Sequence, residues 1–153
     1  MISVLDTPFE MSLRVLLLLS VKPGCIMNAD MLAIADTFTI YGNKFNITNE
    51  NIHSDGAHAF EEYDARRELV KEAVQMLVLR GLIDVSQSEI GFRYKINREG
   101  IQYASSLVSE YADTYREAAE AVHTFINGKA ERELFNMILK PHTNFNGRRL
   151  HDD

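Results

Sequence analysis

The chain has 153 residues and a formal net charge of −6, from 16 Lys and Arg set against 22 Asp and Glu. With 46% hydrophobic and 25% charged residues, it has the balance of a folded domain, which excludes wholesale disorder. The acidic excess is a poor fit to a protein that grips nucleic acid through its phosphates.

A single cysteine, Cys25, excludes an intramolecular disulfide and suits a reducing compartment. The apolar run Val15–Leu19 falls far short of the roughly 20 residues a membrane span needs. Asp6 and Glu10 stand where a signal peptide would carry basic residues. The expectation is a cytoplasmic protein.

Residues 1–7 read as a leader, residues 8–140 as the folded domain and residues 141–153 as a polar tail. Thr7–Pro8 supplies an N-cap followed by proline at the first helical position. The helix that follows, 8–21, is apolar nearly all round. This predicts burial on every side, one side being a candidate for cover by another protein. Lys22–Pro23–Gly24 stops it.

Asn28 caps a second helix, 29–41, which Gly42–Asn43 ends. The Asn-rich stretch 43–63 reads as a loop, and loops of that length tend to be functional or mobile. A third helix is predicted over 64–80, with Leu69, Val70, Ala73, Val74, Met76 and Leu77 on one arc and Gly81 as its stop. Leu82–Val85 and Phe92–Ile96 then read as two strands joined by a turn over 86–91. A long helix, 101–126, with a candidate break at Ser105–Ser106, carries a stripe that includes Tyr111 and Tyr115. A short helix, 129–139, closes the series, and Pro141 ends it. No internal repeat or low-complexity segment interrupts this order.

The fold class that follows is mainly α with a small β-hairpin: a winged helix-turn-helix-like domain with N- and C-terminal helical additions. Fold of this kind does not fix function, because winged helices bind DNA, RNA and proteins.

No catalytic constellation assembles. His53 and His58 share a loop with Asp55 but lack the convergent ligands of a metal site, and they read as solvated loop residues. Cys25 has no base beside it in the sequence and reads as a structural thiol. No glycine-rich phosphate loop occurs. The expected sets of catalytic, cofactor-binding and metal-binding residues are therefore empty.

The outward face of the third helix carries Arg67, Lys71 and Gln75, residue types that meet phosphates or bases. Glu68 and Glu72 stand among them and would repel a DNA backbone. Val78 and Leu79 also point outward, which suits a protein contact, or cover by neighbouring elements. Tyr103, Tyr111 and Tyr115 have the spacing of core packing more than of an interface.

The combination Pro8–Phe9–Glu10, Leu13–Arg14 and the leucine run resembles the opening of the middle components of bacterial ABC-three-component systems. Arg66–Arg67–Glu68–Leu69–Val70, leading to Arg80–Gly81–Leu82–Ile83, is similar to that family's central helix and wing entry. Tyr111–Ala112 and Ala121–Val122 with Phe125 resemble its C-terminal helix. The resemblance spans about residues 7 to 140.

It implies a non-catalytic adaptor subunit of a Lamassu-like anti-phage or anti-plasmid defence complex. Such a subunit would couple an SMC- or Rad50-like ABC ATPase to an effector, often a nuclease, and meet DNA only within the complex. Candidate partner contacts are Arg14, Arg67, Lys71, Val78 and Leu79. The alternative is a stand-alone winged-helix transcriptional regulator that binds a specific duplex.

Overall fold

Capping side chains set most of the helix starts in this computed structural model, which describes residues 7–139. Thr7 opens α1 (Pro8–Ser20) by accepting from the Glu10 amide at 3.1 Å. Asn28 opens α2 (Ala29–Ile40) by accepting from Met31 at 2.7 Å. Each cap satisfies an amide that the first helical turn leaves without a carbonyl.

The third helix, α3 (Ala59–Leu79), has no side-chain cap at His58. It begins five residues before the predicted Asp64, and the added turn buries Ala59 and Tyr63. Gly81 follows its C-cap at φ +74°, a left-handed turn that only glycine makes without strain.

The hairpin pairs β1 (Ile83–Ser88) with β2 (Gly91–Ile96) antiparallel, from Ile83↔Ile96 to Ser88↔Gly91. Its turn is therefore only Glu89–Ile90, shorter than the predicted 86–91. Ser86 and Gln87 read as turn residues because they are polar, yet both are exposed in the strand, where polarity carries no penalty. Met27 exchanges two backbone hydrogen bonds with Tyr94, at 3.0 and 2.8 Å, adding a third short rung on the far side of β2.

The predicted long helix divides into α4 (Arg98–Ser105), capped by Asn97, and α5 (Glu110–Ile126), capped by Ser109. The break falls where the sequence placed it, and Arg116 secures it by donating to the carbonyls of Ala104 and Leu107 at 2.6 and 2.8 Å. A last helix, α6 (131–139), follows.

One continuous core joins all these elements. α1 packs against α3, α4 and α5, and α2 against α3 and α5. In α1, Met11 and Val15 through Leu19 are at most 2% exposed. Most of the cover for this helix thus comes from within the chain, while Leu13 stays half-buried on a groove shared with Leu107 and Val108. α6 inserts Leu134 and Ile138 and sets Phe135 beside Tyr63, with ring centroids 5.3 Å apart.

The order of helices and hairpin, with the Met27 rung, is compatible with a winged helix-turn-helix-like domain. Among the described residues no helix is long and apolar enough to cross a membrane.

The segment 43–58 is closed by its own side chains. Asn51 accepts from the amides of Asn43 and Lys44 at 2.8 and 3.2 Å, and Asn43 donates to the carbonyls of Thr48 and Asn49. Phe45 is buried edge-on against Phe38. Asparagines here substitute for a backbone ladder.

Candidate protein-interaction surface

Arg14, expected at a partner contact, is 1% exposed. α1 turns it into the core, where it forks onto Asp36 of α2: Nε to Oδ1 at 3.0 Å and Nη2 to Oδ2 at 2.9 Å. Tyr115 of α5 donates to the same Asp36 Oδ1 at 2.6 Å. Burial alone would raise the Asp36 carboxyl. The Arg14 charge and hydrogen bonds, helped by Arg66 and Tyr115, outweigh it and hold Asp36 below the usual carboxylate range.

This network binds α1, α2 and α5 together. The correction to Arg14 has a simple cause: a lone basic residue in an apolar helix reads as an escape to solvent only while its partner on another helix is unseen. Asp36, in the equally apolar α2, was the missed partner.

A second buried cation, Arg66 of α3, donates to Glu62 at 3.0 Å and to the Tyr41 hydroxyl at 3.3 Å, and it lies 5.5 Å from the Tyr41 ring centroid.

The outward face of α3 carries the other candidates. Arg67 is half-buried and pairs with Asp30 at the start of α2. Lys71 is exposed and pairs with Glu68 at 3.2 Å. Both cations thus meet carboxylates of their own chain. Val78 is half-buried against the core, whereas Leu79 is 87% exposed. Of the two aliphatics expected to face outward, only Leu79 does so fully.

The hairpin adds apolar surface that sequence reasoning missed. Ile90 at the turn is 87% exposed, Phe92 56% and Val85 44%. Phe92 and Tyr94 face α3 across a groove that Asp30, Arg67, Lys71 and Val74 also line. The available signal was an aliphatic residue at a turn tip, Glu89–Ile90–Gly91, where polar residues are usual.

The remaining singled-out residues are structural. The Cys25 thiol is half-buried and pushed up by burial, with Lys22 opposing, which is the reverse of an activated nucleophile. Among the described residues no group of three or more His, Cys, Asp or Glu side chains converges as a metal site would require.

His53 is a half-exposed loop residue whose Nε2 lies 2.9 Å from the Tyr111 hydroxyl and whose ring stands edge-on to Tyr41. His58 is exposed, as expected. His123 is buried with Nε2 2.7 Å from the Leu18 carbonyl. His142 and His151 lie outside the described residues. Tyr115 is core, Tyr103 is half-buried and Tyr111 is 38% exposed.

What this surface offers is an apolar and mixed-charge face on α3 and the hairpin, with no assembled reactive centre among the described residues. Comparison with curated proteins and with solved structures returned no match. Residues 4–148 match the family described as ABC-three component (ABC-3C) system Middle Component 2. With that match running through α1, the two buried arginines, the hairpin and α5, the chain belongs to the middle component 2 family of ABC-three-component systems.

Proposed function

We propose that this chain is a non-catalytic adaptor of a bacterial defence complex, joining an SMC- or Rad50-like ABC ATPase to an effector such as a nuclease, in the manner of a Lamassu-like system. Family membership supports a role among several components. The observation that carries the reading furthest is the exposed apolar set Leu79, Ile90, Phe92 and Val85 on α3 and the hairpin. Aliphatic and aromatic side chains left in water favour a protein partner.

The same face argues against independent duplex reading. Arg67 and Lys71 are occupied by Asp30 and Glu68, and releasing them to phosphates would leave those carboxylates facing the DNA backbone. The stand-alone regulator remains the competing reading, and it predicts salt-dependent binding to one specific duplex.

The deciding experiment is co-expression of the tagged chain with its neighbouring genes, followed by capture and mass spectrometry. Recovery of an ATPase and an effector, reduced at least tenfold by Leu79→Asp, supports the adaptor. Recovery of the chain alone, with tight binding to a specific duplex, refutes it.

A further inference from the structure

Hydrogen-bond parity in the hairpin leaves one strand edge open. Tyr94 spends both its amide and its carbonyl on Met27, so it bonds away from β1. Its cross-strand partner is Val85. In an antiparallel ladder a residue that bonds outward faces a partner that also bonds outward. The amides and carbonyls of Val85 and Gln87 therefore point away from β2. Among the described residues no backbone group meets them.

This edge carries little of the usual protection, Asp84 being the one charged side chain on it. β1 reads Ile-Asp-Val-Ser-Gln-Ser, with no proline and no lysine, and its register with β2 is unbroken by a bulge. Four consecutive residues, 84–87, are exposed.

The two faces of the strand differ in chemistry. Val85 shares a face with Tyr94, Phe92 and Gln87, of which Phe92 and Tyr94 open onto the α3 groove. The other face carries Asp84, Ser86 and Ser88 beside Arg93 and Lys95 of β2. Asp84 already accepts from Asn97 at 3.1 Å. Arg93 and Lys95 are exposed, and no ion pair joins either to a carboxylate among the described residues.

A strand added beside β1 would lie about 10 Å from β2. Ser86, the cross-strand neighbour of Arg93, leaves room for the arginine side chain to reach it, whereas Asp84 stands between Lys95 and that strand.

We infer that the free edge of β1 receives an extended segment of a partner protein as an added strand, apolar at alternate positions against Val85 and acidic on the other face where Arg93 reaches past Ser86. Main-chain pairing supplies the affinity and the alternating side chains supply the selection. The inference draws on the adaptor reading only for the source of the strand. The edge itself is testable on the isolated chain.

The probes are two labelled ten-residue peptides, one alternating valine with glutamate and one alternating valine with lysine, titrated against the full chain by fluorescence anisotropy. The expected result is at least tenfold tighter binding of the glutamate peptide, weakened by salt. Amide hydrogen exchange should slow at Val85 and Gln87 on binding.

Val85→Pro removes an outward amide that the hairpin does not use, and proline is tolerated on such edges. It should abolish binding, while Val85→Thr, which keeps the amide, should retain it. Should Val85→Pro unfold, exchange at Val85 and Gln87 in the wild-type chain decides alone.

The inference is overturned by unchanged exchange at those amides, by wild-type binding in folded Val85→Pro, or by equal or absent binding of the two peptides. It is overturned too by a concentration-dependent dimer that Val85→Pro dissociates, which would assign the edge to a second copy. Failure here leaves the adaptor reading intact, since that reading stands or falls on co-purification.

Discussion

Replacing Arg14 with methionine separates a structural residue from a partner contact. The Arg14 side chain is 2% exposed and that of Asp36 is fully buried. Removing one member of a buried, hydrogen-bonded ion pair costs about 3–5 kcal/mol, because the other charge is left in the interior. For a chain of this size each kcal/mol moves the melting temperature by about 2–4 °C, so Arg14→Met should lose roughly 6–20 °C.

The loss should also depend on pH. In the wild type Asp36 ionises more readily folded than unfolded, so its contribution is present above the ordinary carboxylate pKa and fades as pH falls through the folded value. Without Arg14, burial acts with less opposition and the carboxyl moves up, so the folded mutant prefers it protonated. The gap between mutant and wild type should then narrow in acid. Adding Asp36→Leu and Tyr115→Phe removes the stranded carboxylate and the stranded hydroxyl, and should restore most of the stability.

Thermal and urea unfolding of the single and triple variants, at neutral and acid pH, measure this. A single variant that melts within 2–3 °C of wild type, corresponding to about 1 kcal/mol, would refute the reasoning. Loss of partner capture in such a stable variant would return Arg14 to the surface role first expected of it.

Three further outcomes follow from other parts of the molecule. Leu79→Asp should change unfolding free energy by less than about 0.5 kcal/mol, as exposed positions usually do, while reducing partner capture; equal loss of both would place Leu79 in the core. Gly100→Ala should destabilise by about 1–3 kcal/mol in urea unfolding, because an added Cβ would meet the Leu82 carbonyl oxygen at 2.1 Å; wild-type stability would mean that α4 can slide away. His123 is harder to protonate folded than unfolded, chiefly through burial, with the Leu18 carbonyl opposing. Stability should therefore fall as pH drops below about 6.5, and His123→Asn should flatten that slope in pH-dependent melting curves.

The sequence disclosed those features whose signals are local. Asn28 and Gly81 mark helix ends by chemistry that acts within one turn. The alternation in Phe92–Ile96 and the apolar arc of Val70, Ala73, Val74 and Leu77 each report a single buried face. What stayed hidden depends on distant partners or on missing signals. The start of α3 lacked a cap, so five helical residues looked like loop. Ser86–Gln87 looked like a turn because an exposed strand needs no hydrophobic alternation. The open edge of β1 is set by the pairing of Tyr94 with Met27, a contact across 67 positions that no local pattern encodes.

The placement of the arginines has a consequence for recognition. Arg14 and Arg66 are buried, Arg67 is tied to Asp30, and Arg116 is tied to Asp113 and two carbonyls. These four cations hold helices to one another: α1 to α2, α3 to α2, and the α4–α5 break to itself. Arg80, Arg93, Arg98 and Arg132 are exposed, but a net charge of −6 works against long-range attraction of a polyanion. The charge that remains open on the hairpin, Arg93 and Lys95, lies on the face opposite to exposed Val85 and Phe92. Cations on one face and apolar side chains on the other suit an extended protein segment, since burying the apolar groups supplies free energy and the charges select the partner. Electrostatics and apolar exposure therefore lead to the same hairpin, one to each of its faces, and a strand laid along its edge would meet both.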